Sequence, residues 1–122
     1  MNFQKKVTKT NYIREYVTVL NGLLDLTQRE VDVLCSMIKL DNNWAPRSPS
    51  DVKNILSTDS RRLMLKETGM NKSNFTKIVK KMTVIGLLVL STDGKYVVNE
   101  LLKPSIDDKG KIEVKFVLNV IQ

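Results

Sequence analysis

The stretch from Ser60 to Leu88, SRRLMLKETGMNKSNFTKIVKKMTVIGLL, constrains the fold of this chain more than any other. It holds two helix-forming runs with Gly69 between them. A glycine in that place predicts a sharp turn, because it enters left-handed backbone without a Cβ penalty. With positions about 100° apart, Phe75, Ile78, Val79, Met82 and Ile85 gather on one side of the second run. Ser73, Lys77 and Lys80 gather on the opposite side, with Thr76 at one edge and Asn74 and Lys81 at the other. The first side predicts packing onto a core. The second mixes cations with short polar groups.

The positive charge is local. Residues 61 to 81 carry seven cations (Arg61, Arg62, Lys66, Lys72, Lys77, Lys80, Lys81) and one anion, Glu67, so this segment holds +6 of a total of +7. Residues 1 to 20 contribute +3, residues 21 to 60 −2, and residues 82 to 122 nothing. Any basic helix can be merely a solvated surface. A patch confined to one segment fits a docked polyanion better, since lysines serving solubility alone would be spread along the chain. Lysines bind phosphates, and short polar side chains can hydrogen-bond base edges.

The residues Leu63, Leu65, Thr68, Gly69, Met70, Ser73, Phe75, Ile78, Val79, Met82, Gly86, Leu87 and Leu88 form a pattern that resembles the helix-turn-helix and following wing of bacterial winged-helix proteins. Gly69 is expected to end the first helix with a positive φ, Met70 to plug the corner, and Gly86 to cap the second helix. Beyond Gly86, Leu87 to Leu90 leads through Ser91, Thr92, Asp93 and Gly94 into Lys95 to Val98, which reads as a hairpin with Asp93-Gly94 as a two-residue turn. The resemblance implies that this hairpin is a wing whose tip touches DNA, with Thr92 and Lys95 near the tip. The alternative is that it only completes a small sheet.

Upstream, Thr27 and Glu30 have the spacing of a capping box, and a helix is predicted from there to about Leu40. Val31, Val33, Leu34, Cys35, Met37 and Ile38 form its wide apolar stripe, so the single cysteine reads as a core residue. The Leu-Thr-x-x-Glu start is similar to that of MarR-type regulators and of plasmid and phage replication initiators. Asn11 to Leu24 fits both a helix and an alternating strand, and the helix is favoured. The run DNNWAPRSPS from Asp41 to Ser50 reads as a loop anchored by Trp44, with Ser48 or Ser50 capping a short helix through Leu56.

At the C-terminus Pro104, Asp107, Asp108 and Gly110 break the chain. Ile112, Val114, Phe116, Leu118 and Val120 then alternate with Glu113, Lys115, Val117, Asn119 and Ile121, which is a strand signature. MarR-type regulators usually have a long dimerising helix in this place, so the resemblance does not extend to their mode of dimerisation. A terminal strand would join the wing sheet, the N-terminal arm or a second subunit.

The 122 residues, 42% of them hydrophobic, suffice for one domain with its own core. No apolar run approaches the roughly 18 residues of a membrane span, and the start lacks the apolar stretch of a signal peptide, so a cytoplasmic protein is expected. There is no histidine, cysteine pair or glycine-rich phosphate loop, and Asp107-Asp108 reads as a solvated turn. No enzyme, metal or cofactor is expected.

The expectation is therefore an α+β winged helix-turn-helix domain over residues 1–122. It comprises an N-terminal arm at 1–25, the helix-turn-helix at 60–86, an antiparallel β wing at 87–99 and a C-terminal strand at 111–121. Its expected partner is double-stranded DNA, in a transcriptional regulator or replication organiser of a bacterium, plasmid or phage. Lys72, Lys77, Lys80 and Lys81 are expected to hold phosphates, Ser73, Asn74 and Thr76 to read bases in the major groove, and Arg61 and Arg62 to clamp the flanking backbone. A homodimer would favour half-sites about one DNA turn apart. The competing class is a protein-docking module or inhibitor of host machinery, whose basic surface meets an acidic protein.

Overall fold

Four helices and one two-stranded antiparallel hairpin are built in the computed structural model, which describes residues 4–115 and 117–121. The helices are α1 (Tyr12–Leu24), α2 (Gln28–Asn43), α3 (Thr58–Thr68) and α4 (Lys72–Val84); the strands are β1 (Leu88–Leu90) and β2 (Tyr96–Val98). No helix among the described residues is long and apolar enough to cross a membrane.

The ambiguity of residues 11–24 resolves to helix because Ile13, Val17, Leu20 and Leu24 recur at helical spacing against the core, with Val17 fully buried. α1 stops at Asp25, which takes a left-handed φ of 54°. Asn21 fixes the corner, accepting from Leu26 N–H at 2.7 Å and donating to Leu26 C=O at 3.1 Å. α2 then starts on the expected capping box: Thr27 Oγ1 accepts from Glu30 N–H at 3.2 Å, and Glu30 Oε1 accepts from Thr27 N–H at 2.9 Å. Its stripe of Val31, Val33, Leu34, Cys35, Met37 and Ile38 is buried throughout, and α1, α3, α4 and β2 pack around it. Burial also pushes the Cys35 thiol pKa up, in keeping with a core residue.

The short helix expected through Leu56 does not form. The Asp51 carboxylate accepts from Arg47 N–H at 2.8 Å and Ser48 N–H at 3.0 Å, closing a turn around Pro49. The following backbone is drawn to the hairpin, where Ile55 N–H donates to Tyr96 C=O at 3.0 Å and Asn54 Oδ1 accepts from Tyr96 N–H at 3.1 Å. Trp44 is half-buried, with Lys53 Nζ 5.9 Å from its ring centroid.

Ser57 caps α3, accepting from Ser60 N–H, and Gly69 ends it at φ 66°. Asn71 caps α4, accepting from Asn74 N–H at 2.8 Å, so only Gly69, Met70 and Asn71 separate the two helices. Met70 packs against the core at this corner, as expected. Phe75, Val79 and Met82 are buried and Ile78 half-buried. Ile85 departs from expectation at 47% exposed. It is the C-cap, with φ −84° and ψ 1°, so it has left the helical track that would carry it inward. Gly86, one residue further on at φ 86°, closes a Schellman motif: its N–H donates to Thr83 C=O, and Leu87 N–H donates to Met82 C=O at 2.9 Å.

In the hairpin Leu88 pairs with Val98, Val89 with Val97 and Leu90 with Tyr96. The connection is a three-residue loop, Thr92 to Gly94, where a two-residue turn was expected: Gly94 N–H donates to Ser91 C=O, Ser91 N–H donates to Lys95 C=O, and Gly94 alone in the loop has a positive φ, 79°. Asp41, at the end of α2, is buried and accepts from Val98 N–H at 2.9 Å and Lys53 Nζ at 2.9 Å, and Lys103 pairs with it.

After a 3₁₀ turn at Glu100–Leu102, residues Asp107 to Lys111 repeat the hairpin's loop: Gly110 N–H donates to Asp107 C=O, Asp107 N–H to Lys111 C=O, and Gly110 has φ 75°. The expected C-terminal strand is not present in residues 111–115 and 117–121; Phe116, which that reading also includes, lies outside the described residues. The alternating pattern finds no ladder, because the chain before the turn offers Pro104, which has no N–H, and then the 3₁₀ turn. Val117, Leu118, Val120 and Ile121 are between 77% and 94% exposed.

Candidate nucleic-acid interface

α4 meets the core along Phe75, Val79 and Met82, which turns Ser73, Lys77 and Lys80 outward; Lys72, Asn74 and Thr76 are exposed beside them. Among the described residues, no hydrogen bond or ion pair engages the side chains of Lys72, Ser73, Asn74, Lys77 or Lys80. Thr76 Oγ1 donates to Lys72 C=O at 2.9 Å. The first turn of α4 carries no acidic residue, and its unpaired N–H groups add positive potential there.

The remaining candidates are placed differently. Lys81 turns back onto α2, with Nζ 2.8 Å from Glu30 Oε2, so its charge is neutralised within the fold. Burial pushes the Glu30 pKa up, but bonds from Lys81 and Thr27 outweigh it and hold the carboxyl below its ordinary value. Arg61 is half-buried and donates from Nε to Leu56 C=O at 3.0 Å, bracing the entry to α3. Arg62 lies 3.7 Å from Asp59, with both side chains at least 75% exposed, and a pair in that setting restrains it weakly. Thr92 is exposed in the hairpin loop, while Lys95 is half-buried and its backbone is held on both sides by Ser91.

A groove of ≈ 440 Å³ runs along the edge of this surface, between the start of α2, the Gly69–Asn71 turn and α4. Arg29, Asn74 and Lys77 line it together. Sequence reasoning misses Arg29 because it stands beside the capping Glu30, far in the chain from the basic segment. Val84 is missed as well: it is 80% exposed on the helical line of Ser73, Lys77 and Lys80, and its 100° spacing alone would have put it there. Lys39 and Ser36 occupy Glu67, the one anion of the basic segment, at 3.0 Å and 3.4 Å.

Among the described residues no group of three or more His, Cys, Asp or Glu is arranged to hold a metal ion. No family profile, curated protein or solved structure matches this chain.

Proposed function

We propose that this chain is a winged helix-turn-helix protein that binds double-stranded DNA, acting as a transcriptional regulator or replication organiser. The observation that carries the reading is the outer side of α4. Three exposed lysines without intramolecular partners among the described residues (Lys72, Lys77, Lys80) lie among Ser73, Asn74 and Thr76, directly after a tight glycine turn. In this reading α4 enters the major groove. Lys72, Lys77 and Lys80 hold phosphates, and Arg62 reaches the flanking backbone. Ser73, Asn74 and Thr76 meet base edges, and Val84 is placed to touch a thymine methyl. Thr92 at the hairpin tip meets the adjoining backbone.

Fluorescence anisotropy of the purified chain on a random-sequence duplex, across a salt series, tests this. A dissociation constant of roughly 1–100 μM that weakens steeply with salt is expected for such a surface. Absence of binding at low salt overturns the reading and favours an acidic protein as the partner of the same surface.

A further inference from the structure

We propose that residues 112–115 and 117–121 of one copy add in extended form to the open edge of β1 in a second copy, and that the exchange is reciprocal. This is independent of whether the chain binds DNA.

The hairpin has one sealed edge and one open edge. Asn99 N–H donates to Leu87 C=O and Ser91 N–H to Lys95 C=O, so Leu87, Val89 and Ser91 face β2. By antiparallel alternation the N–H and C=O groups of Leu88 and Leu90 point away from it. No described residue hydrogen-bonds those groups; Leu88 is itself buried, so the accessible part of the edge is its Leu90 end. The outward side of β2 is occupied instead: Asn54 Oδ1 takes Tyr96 N–H, Ile55 N–H takes Tyr96 C=O, and Asp41 takes Val98 N–H. The exposed end of the β1 edge is also apolar, with Val89 43% and Leu90 50% exposed.

The missing strand has its sequence in the same chain. Ile112, Val114, Leu118 and Val120 alternate as one apolar side, Val117 and Ile121 lie on the other, and the Asp107–Lys111 turn already reverses the chain ahead of them. β1 is apolar on both of its sides, Leu88 and Leu90 on one and Val89 on the other. Strand addition supplies main-chain hydrogen bonds to the edge and covers alternate side chains.

A second copy is the occupant because of where the segment leaves the fold. Lys103 is held by Asp41 at the sealed edge of β2, so both strands of its own hairpin lie between that anchor and its own open edge. Donor and acceptor on one chain let a two-fold axis satisfy both at once.

Light scattering of the full chain after size exclusion, over a concentration series, is expected to show a dimer. Leu118→Lys with Val120→Lys, and separately Leu90→Lys, should each weaken its dissociation constant by about a hundredfold without changing the helical circular dichroism. All three side chains are at least half exposed, so the variants leave the core untouched. As a second readout, Leu90→Cys with Leu118→Cys should give an intermolecular disulfide. The proposal is overturned by a monomer at every concentration, by a dimer that survives either variant, or by a disulfide formed within one chain.

Discussion

The Lys81 ammonium and the Glu30 carboxylate tie α4 to the first turn of α2, with Nζ 2.8 Å from Oε2 and donating to Oε1 at 2.9 Å. The same carboxylate closes the capping box of α2, so one nearly buried anion serves a helix start and a helix–helix contact. Lys81→Ala is therefore expected to cost stability, about 1 kcal/mol after allowing for the half-exposed ammonium. In the proposed DNA complex it should leave the salt dependence of binding unchanged. Urea unfolding and a salt-resolved binding series check the two halves, and a slope reduced by about one unit would place Lys81 on a phosphate.

Lys77→Ala with Lys80→Ala is expected to behave in the opposite way. Both lysines are exposed and outside the fold's ion pairs, so stability should stay within about 0.5 kcal/mol. Binding should weaken on all sequences, and the slope of log K against log salt should flatten by about two units, one for each phosphate that no longer meets a lysine. An unchanged slope would exclude this side of α4.

Asn74→Ala separates reading from holding. The cap of α4 uses the Asn74 backbone N–H and the Asn71 side chain, so removing the Asn74 amide leaves the helix start intact. The expected outcome is a loss of about 1–3 kcal/mol of discrimination at one base position, with the salt slope preserved. Selection from a randomised duplex pool by wild type and variant makes the comparison, and identical selected sequences would remove Asn74 from the readers.

Asp41 is expected to contribute to the acid limb of stability. Burial raises its pKa, but the bonds from Lys103, Lys53 and Val98 N–H outweigh that and hold it below the usual carboxylate range. Its contribution is thus complete above the unfolded value of about 3.9 and is lost as pH falls through the folded value. Glu30, also lowered, acts in the same direction. Asp41→Ala leaves the Lys53 ammonium and a strand N–H without their acceptor, and Lys103 with Glu100 alone, and is expected to cost about 3 kcal/mol at neutral pH. Denaturation from pH 7 to pH 2 should show a shallower acid loss in Asp41→Asn than in wild type.

Gly86→Ala places a Cβ in left-handed backbone at φ 86° and is expected to cost about 1–2 kcal/mol, although nothing lies within 4 Å of that Cβ. The same change at Gly22, inside α1 with open space around it, should stabilise by about 0.5–1 kcal/mol. Thermal melts of the pair isolate backbone strain from crowding.

What can be read from the chain is what a few neighbouring residues decide. The Thr27–Glu30 box spans four positions, Gly69 and Gly86 mark their turns by residue type, and the apolar spacing of α2 and α4 matches the buried residues. Misreadings arise where a distant partner decides. Ser48 and Ser50 look like helix caps, yet Asn54 and Ile55 are claimed by Tyr96, some forty residues on. Lys81 lies at the edge of the outer side of α4 by spacing, and its pairing with Glu30, 51 positions earlier, has no local sign. Asp41 sits in a polar run that reads as a loop, and its role depends on Val98, 57 positions away. The C-terminal alternation is local and plain, but a strand exists only beside another strand, and among the described residues neither β1 nor β2 pairs with that segment.

Asp41 also determines how the hairpin behaves as a mechanical part. A two-stranded ribbon joined to α4 by a single glycine corner would swing like a flap. Pinned along β2 by the end of α2 at Val98 N–H and by Asn54 and Ile55 at Tyr96, it is a strut. In the proposed complex the loop at Thr92 and the lysines of α4 would act as the two jaws of a calliper, and it is the partner that would have to bend to fit.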